Sequence, residues 1–345
     1  MNLFHFIFRR VYIRFDYLCL IFETLNIKIT TLMLQKTFLA RCDNRACLAK
    51  NILSKSNTFG LTFDFFVDWA INQISPYVWI KRILLPNYTY DEFIGKLDFE
   101  MEKEFGKDYL CRLGRFATEY DMQIQFIVFH DDLDWSNDRN ELLIVSLFFK
   151  EGHYSFSPQK YSLSEFKELI KSHSGGPVSI GSKGLIYGTS RLECSLSKTD
   201  SLYPGDADLL LLNEDNKAVC ILEFKKHTLS SPISEQCFTN YYPRPDGRKY
   251  KRLALLRDYL ASKSNSRILF FVLYYPTQTY IEQQWKLEVI EGNAFSLRAT
   301  DSFIFELPAD KSDNEYKKVI EKNISGNCCS QLDRYLLINV GPYII

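Results

Sequence analysis

The feature that most restricts how this chain can fold is a pair of short apolar runs. ADLLLL at 207–212 and AVCILEF at 218–224 are separated by a polar turn at 213–217. Both runs are apolar at successive positions, so they read as central strands covered on both faces. The turn folds them into a hairpin. Charge stands only at the ends, with Asp206 and Asp208 where the first run opens and Glu223 and Lys225 where the second closes. Side chains alternate along a strand, which puts Asp206 with Asp208 on one face and Glu223 with Lys225 on one face. Charged groups almost never occupy such positions unless they are paired or bind something.

Around this hairpin the pattern is short and regular. Ser162 and Glu165 form a Ser-x-x-Glu capping box that opens a helix over 162–172, with Phe166, Leu169 and Ile170 as its buried stripe. Ser174-Gly175-Gly176-Pro177 ends it. Short strands are expected at 185–187 and 191–197 before the hairpin, then a helix over 249–261 and a buried strand over 267–275. The element order is helix, three strands, helix, strand. Upstream, 35–121 is expected to be mainly helical, including an amphipathic stretch in which Phe93, Leu97, Met101 and Phe105 recur every fourth residue. Runs at 122–130 and 141–150 suggest a second hairpin, and no internal repeat is visible in the sequence. The expected organisation is an uncertain N-terminal extension (1–32), an α+β region (33–160), a catalytic core (161–285), and C-terminal strands and a helix (286–345).

Composition excludes several classes. Of 345 residues, 46% are apolar and 24% charged, which suits a soluble globular protein. The 42 basic and 42 acidic side chains cancel, so any nucleic-acid contact must come from a local patch. Nine cysteines without a CxxC pair fit neither a disulfide framework nor a zinc ribbon, and they point to reduced thiols in the cytoplasm. The aromatic first 32 residues are interrupted by Arg9, Arg10, Arg14 and Asp16, too early for a membrane-spanning helix. Translation from Met33 is an alternative explanation for that segment.

Hydrolysis of a phosphodiester uses a divalent cation to neutralise developing charge and to supply hydroxide near neutral pH. Magnesium takes oxygen ligands, commonly one or two carboxylates, and a nearby lysine can orient the attacking water or stabilise the phosphate. Asp208, Glu223 and Lys225 supply these groups on adjacent strands. The acid-x-Lys tripeptide alone is weak, recurring at Glu165, Asp215 and Glu315, but only Glu223 and Lys225 close a strongly apolar strand. An ion pair at a sheet end is the competing reading.

At these residues the chain resembles the PD-(D/E)XK, or restriction-endonuclease-like, nuclease superfamily, whose core is helix, three strands, helix, strand. The resemblance covers about 162–275. It implies an α/β protein with a restriction-endonuclease-like core and mixed sheet, beside the mainly helical N-terminal region expected from the residues above. It also implies that Asp208 and Glu223 bind Mg2+, with Mn2+ able to substitute, while Lys225 serves catalysis. Gly205-Asp206-Ala207-Asp208 looks like the GxxD form of one branch, which favours Asp208 over Asp206. A further acidic ligand is expected before the aspartate strand. Glu193 is the first choice and Glu168 the second, against a capping box between Ser190 and Glu193. The implied activity is metal-dependent DNA hydrolysis in repair, recombination or defence. Its alternative is an inactive nucleic-acid-binding or scaffold protein.

Arg248, Lys249, Lys251 and Arg252, with Arg244 and Arg257 nearby, are either a phosphate track or a solvated basic face. Tyr241, Tyr242 and Tyr250 are candidates for base stacking, and His227 for a phosphate contact or a structural role.

Overall fold

A computed structural model describes residues 59–179, 188–213, 215–227, 230–276 and 284–306. The aromatic and β-branched run FGLTFDFFVD forms β1 (Phe59–Asp68), and QISPYVWIKRIL forms β2 (Gln73–Leu84). Three helices follow, α1 (Tyr90–Gly95), α2 (Leu97–Phe105) and α3 (Lys107–Glu119), and then β3 (Gln123–His130), β4 (Glu141–Lys150) and β5 (His153–Ser162). Helices α4 (Leu163–His173) and α5 (Arg191–Leu196) lead to β6 (Gly205–Leu212) and β7 (Ala218–His227). After two short 3-10 turns come α6 (Gly247–Ser264), β8 (Leu269–Pro276), β9 (Gln284–Asn293) and β10 (Ser296–Glu306).

All ten strands belong to one mixed sheet in the order β10-β9-β8-β7-β6-β1-β2-β3-β4-β5. The parallel pairs are β2 with β3 and β7 with β8; every other neighbour is antiparallel. A parallel pair needs a helical crossover, supplied by α1–α3 in one case and α6 in the other. Both crossovers lie on one face, where Phe105, Leu113 and Phe116 share a core with Leu253, Leu256, Ile80, Ile221 and Val272. On the opposite face, α4 and α5 cover Trp79, Ile83 and Ile127. A separate apolar group containing Leu209, Leu211, Leu222 and Phe224 lies beneath β6–β9.

This architecture overturns the expected restriction-endonuclease-like core with a mainly helical N-terminal region. Residues 59–84 are two long strands, and β1 pairs with β6, closing the sheet between distant parts of the chain. The segment around 191–197 is a short helix, not a third strand. Ser190 accepts a hydrogen bond from the Glu193 amide as its cap, and Leu192 and Leu196 are buried at helical spacing. The expected strand at 185–187 and the N-terminal segment up to Met33 lie outside the described residues. The capping box of α4 is present as expected, with the Ser162 hydroxyl accepting from the Glu165 amide and the Glu165 carboxylate accepting from the Ser162 amide. Among the described residues no helix is long and apolar enough to cross a membrane.

Candidate active site

The β6–β7 hairpin forms as its sequence requires, with Leu209 opposite Leu222 and Leu210 opposite Ile221. Its charged end is less regular than simple alternation predicts. Leu210 pairs with Leu61 of β1 while Ala207 pairs with Phe63, so β6 carries one extra residue across Asp208 and Leu209. Such a bulge re-aims a side chain. As a result Ala207 and Leu210 both pack on the α6 side, and strict alternation between Asp206 and Asp208 is lost.

Asp208 is almost wholly buried and held at two points. Its carbonyl accepts from the Thr62 hydroxyl at 3.1 Å, and Oδ2 accepts from the Phe224 amide at 2.8 Å. Glu223 lies one residue from Phe224 on the face that carries Ile221, toward α6, and is 1% exposed. Oε1 is 3.1 Å from the Lys225 ammonium and Oε2 is 2.8 Å from that of Lys249. Neither oxygen accepts a well-aligned hydrogen bond. Burial works against the charge on Glu223, but Lys249 and then Lys225 outweigh it and hold the carboxyl below the ordinary glutamate range.

Lys225 extends from the same face of β7 to the start of α6. Its ammonium is 2.6 Å from Asp246 Oδ2 and lies over the rings of Tyr241 and Tyr250 at 4.9 and 5.3 Å. Burial opposes its charge, yet Glu223 and Asp246 together keep its pKa above that of a free lysine. Asp246 is a neighbour of Lys225 that the sequence pattern did not single out. It occupies the N-cap of α6 without making a side-chain cap and spends its carboxylate on Lys225. Its place just before a basic helix was the available signal.

The expected basic track divides in two. Lys249 turns inward, with its ammonium 3.5 Å from Asp206, 3.6 Å from Asp208 and 2.8 Å from Glu223. Arg252 also turns inward, and its guanidinium lies against Gly205, where a Cβ would collide with it. Arg248 and Lys251 face outward over Trp69, at 4.6 and 5.6 Å, and Lys251 also lies 4.4 Å from the ring of Phe295. Arg257 is engaged by Asp258 and the Gly292 carbonyl. Arg244 is exposed. Tyr250 is fully buried and Tyr242 stacks on Phe238 at 5.0 Å, so both rings serve packing. The His227 ring donates to the Ser231 carbonyl at 2.6 Å, a structural arrangement.

Glu193 stands in a second charged network on the other face. Its carboxylate accepts from the Thr189 amide at 2.8 Å and lies 3.3 Å from Lys81. Lys81 in turn is 3.4 Å from Asp64, which pairs with Asp206 across β1 and β6. Burial pushes the Asp64 carboxyl up to about 7 despite Lys81. Glu193 is thus joined to the Asp208–Glu223 pair through a chain of charges and lies outside the pair itself. Glu168, the second choice, is a surface partner of Lys171 at 2.9 Å.

For a divalent cation the donor chemistry fits. Asp208 and Glu223 offer hard oxygen atoms at the end of two buried strands away from their connecting turn, and Glu223 retains oxygens without aligned hydrogen bonds. Asp206 adds a third, partly exposed carboxylate. A preassembled group of three or more His, Cys, Asp or Glu ligands is not found among the described residues. Comparison with family models, with curated proteins and with solved structures finds no match to this chain.

Proposed function

We propose that the protein is a metal-dependent nuclease that hydrolyses phosphodiester bonds in DNA at Asp208, Glu223 and Lys225. The observation that carries this reading is the buried Glu223 carboxylate, shared between Lys225 and Lys249 and lacking aligned hydrogen bonds, beside an Asp208 fixed by the Phe224 amide. Mg2+ is the expected cofactor, with Mn2+ as a substitute. When bound it would supply charge neutralisation and a water of lowered pKa. Asp208 and Glu223 would hold it. Lys225, oriented by Asp246 and two tyrosine rings, is placed to position water or to bind phosphate. The resemblance to PD-(D/E)XK nucleases supports these roles at the three residues and not the order of elements around them. Free thiols at Cys111, Cys194, Cys220 and Cys237 accord with a cytoplasmic setting.

A second reading is a nucleic-acid-binding or scaffold protein without catalysis, favoured by the Lys249 ammonium standing among the carboxylates. Linear, circular and single-stranded DNA incubated with the protein in Mg2+ or EDTA separates the two. Cleavage in Mg2+ that is abolished by EDTA and by each of Asp208→Asn, Glu223→Gln and Lys225→Ala is expected. DNA binding without cleavage in either Mg2+ or Mn2+ would establish the second reading.

A further inference from the structure

Among the charges at the end of β6 and β7, Lys225 and Lys249 are held differently. Lys225 has a counter-ion of its own in Asp246 and two aromatic rings beneath it, so it keeps its place whatever happens to Glu223. Lys249 has its ion-pair contacts with Asp206, Asp208 and Glu223 at 3.5, 3.6 and 2.8 Å, the last two being the carboxylates expected to meet a metal. Three negative groups brought together repel unless a cation stands among them. The cation here arrives on a flexible four-carbon stem and remains partly open to solvent, with 20% of its side chain exposed. The helix gives it no help. The first turn of α6 holds no acidic residue, and the helix dipole disfavours a cation at its N-terminal end. The three carboxylates are therefore the counter-ions that draw the Lys249 ammonium into the site.

We propose that Lys249 is an internal counter-ion that competes with the divalent cation for Asp208 and Glu223, and that metal binding displaces its ammonium toward the open side of the site. This inference rests on the metal-dependent reading above. It gives the site a built-in threshold. At low metal the carboxylates are neutralised by the protein itself and the site stays folded but idle. At higher metal the lysine is released beside Arg248, where phosphate would be bound.

The test uses the full chain and Mn2+, whose free form is counted by electron paramagnetic resonance. Lys249→Met keeps the length of the side chain and removes its charge, and it should bind Mn2+ at least about tenfold more tightly than the unmodified protein. A second measurement needs no variant. Lysine acylation read by peptide mass spectrometry should rise several-fold at Lys249 when Mn2+ is added, with Lys225 changing much less. If the unmodified protein binds Mn2+ but its Lys249 acylation does not rise, and Lys249→Met binds no more tightly, displacement is wrong while the metal site stands. If neither protein binds Mn2+ at millimolar concentration, the metal-dependent reading itself fails and the inference fails with it.

Discussion

In each half of the sheet an antiparallel pair is followed by a helical crossover to a parallel strand and then by two more antiparallel strands. β1 to β5 follow this path outward on one side, and β6 to β10 on the other. A two-fold axis normal to the sheet between β1 and β6 would exchange the halves, since both crossovers lie on one face. The parallel extends to spacing: Asp64 precedes Trp79 and Lys81 by the same distances along the chain as Asp208 precedes Glu223 and Lys225. The faces, however, are opposite. Lys81 pairs with Ile127 and points to α4 and α5, whereas Lys225 pairs with Tyr274 and points to α6. In a strand one residue of offset turns every side chain over. Where the second half has a buried carboxylate, the first has Trp79, whose indole donates to Gln125 at 2.8 Å and stacks on Phe166 at 4.9 Å. One topology thus buries a ring in one half at the position where it buries a carboxylate in the other.

The largest effect should come from reversing these roles in stability measurements. Trp79→Ala removes a fully buried ring with a hydrogen bond and should cost about 3–5 kcal/mol in denaturant melts. Glu223→Gln should cost less than Trp79→Ala at neutral pH, because Lys225 and Lys249 keep their other carboxylate partners when the charge that they hold is removed, and its cost should fade in acid. Comparable losses in the two variants would dissolve the contrast between the halves.

Smaller effects should appear in the pH dependence, with opposite signs. The Asp64 carboxyl is raised to about 7, so its contribution is fully present below the ordinary aspartate range and is lost as pH rises through about 7. Glu223 is held low, so its contribution is present above the ordinary glutamate range and is lost as pH falls through its folded value. Asp64→Asn should therefore flatten the fall in stability between about pH 4 and 7, by up to roughly 4 kcal/mol, since each pKa unit corresponds to about 1.4 kcal/mol. Glu223→Gln should flatten only the acid limb. An identical change of profile in both variants would show that the two networks titrate as one.

How much of this was legible in the sequence differs by half. The β6–β7 hairpin, α6 and β8 announced themselves through apolar runs bounded by polar turns, and β3 with β4 did likewise. β1 and β2 did not. FDFFV and YVWIKRIL have apolar residues on both faces, so periodicity does not separate strand from buried helix, and the pairing of β1 with β6 is long-range. At 191–196 the cap at Ser190 outweighed an apolar pattern too short to fix its period. The carboxylates and Lys225 were legible as charge at the end of buried strands. The inward turn of Lys249 and Arg252 was not, because neighbouring residues on a helix point in different directions and only the packed neighbour decides which of them meets the sheet.

The smallest expected effect concerns the place where the halves meet at the surface. Trp69 belongs to the turn between β1 and β2, a turn pinned by the Ala70 and Ile71 amides donating to the Asp68 carboxylate. Arg248 and Lys251 belong to α6, and Lys251 donates to Asn72 of that same turn at 2.7 Å. Phe295, 68% exposed, closes the group from the turn between β9 and β10. Rings interleaved with cations are the surface that binds nucleic acid through stacking and phosphate contact. If DNA reaches the site across this surface, Arg248→Ala and Lys251→Ala should each lower the salt slope of binding by about 0.7–0.9, with the smaller value for single strands. Trp69→Ala should weaken single-strand binding by about 1–3 kcal/mol and duplex binding by less, because only unpaired bases offer a free face. Fluorescence anisotropy over a range of salt concentrations reads both quantities. Should Trp69→Ala leave single-strand affinity untouched while Arg248→Ala reduces the slope, the first half of the sheet would be confined to holding the fold, and recognition would belong to α6 alone.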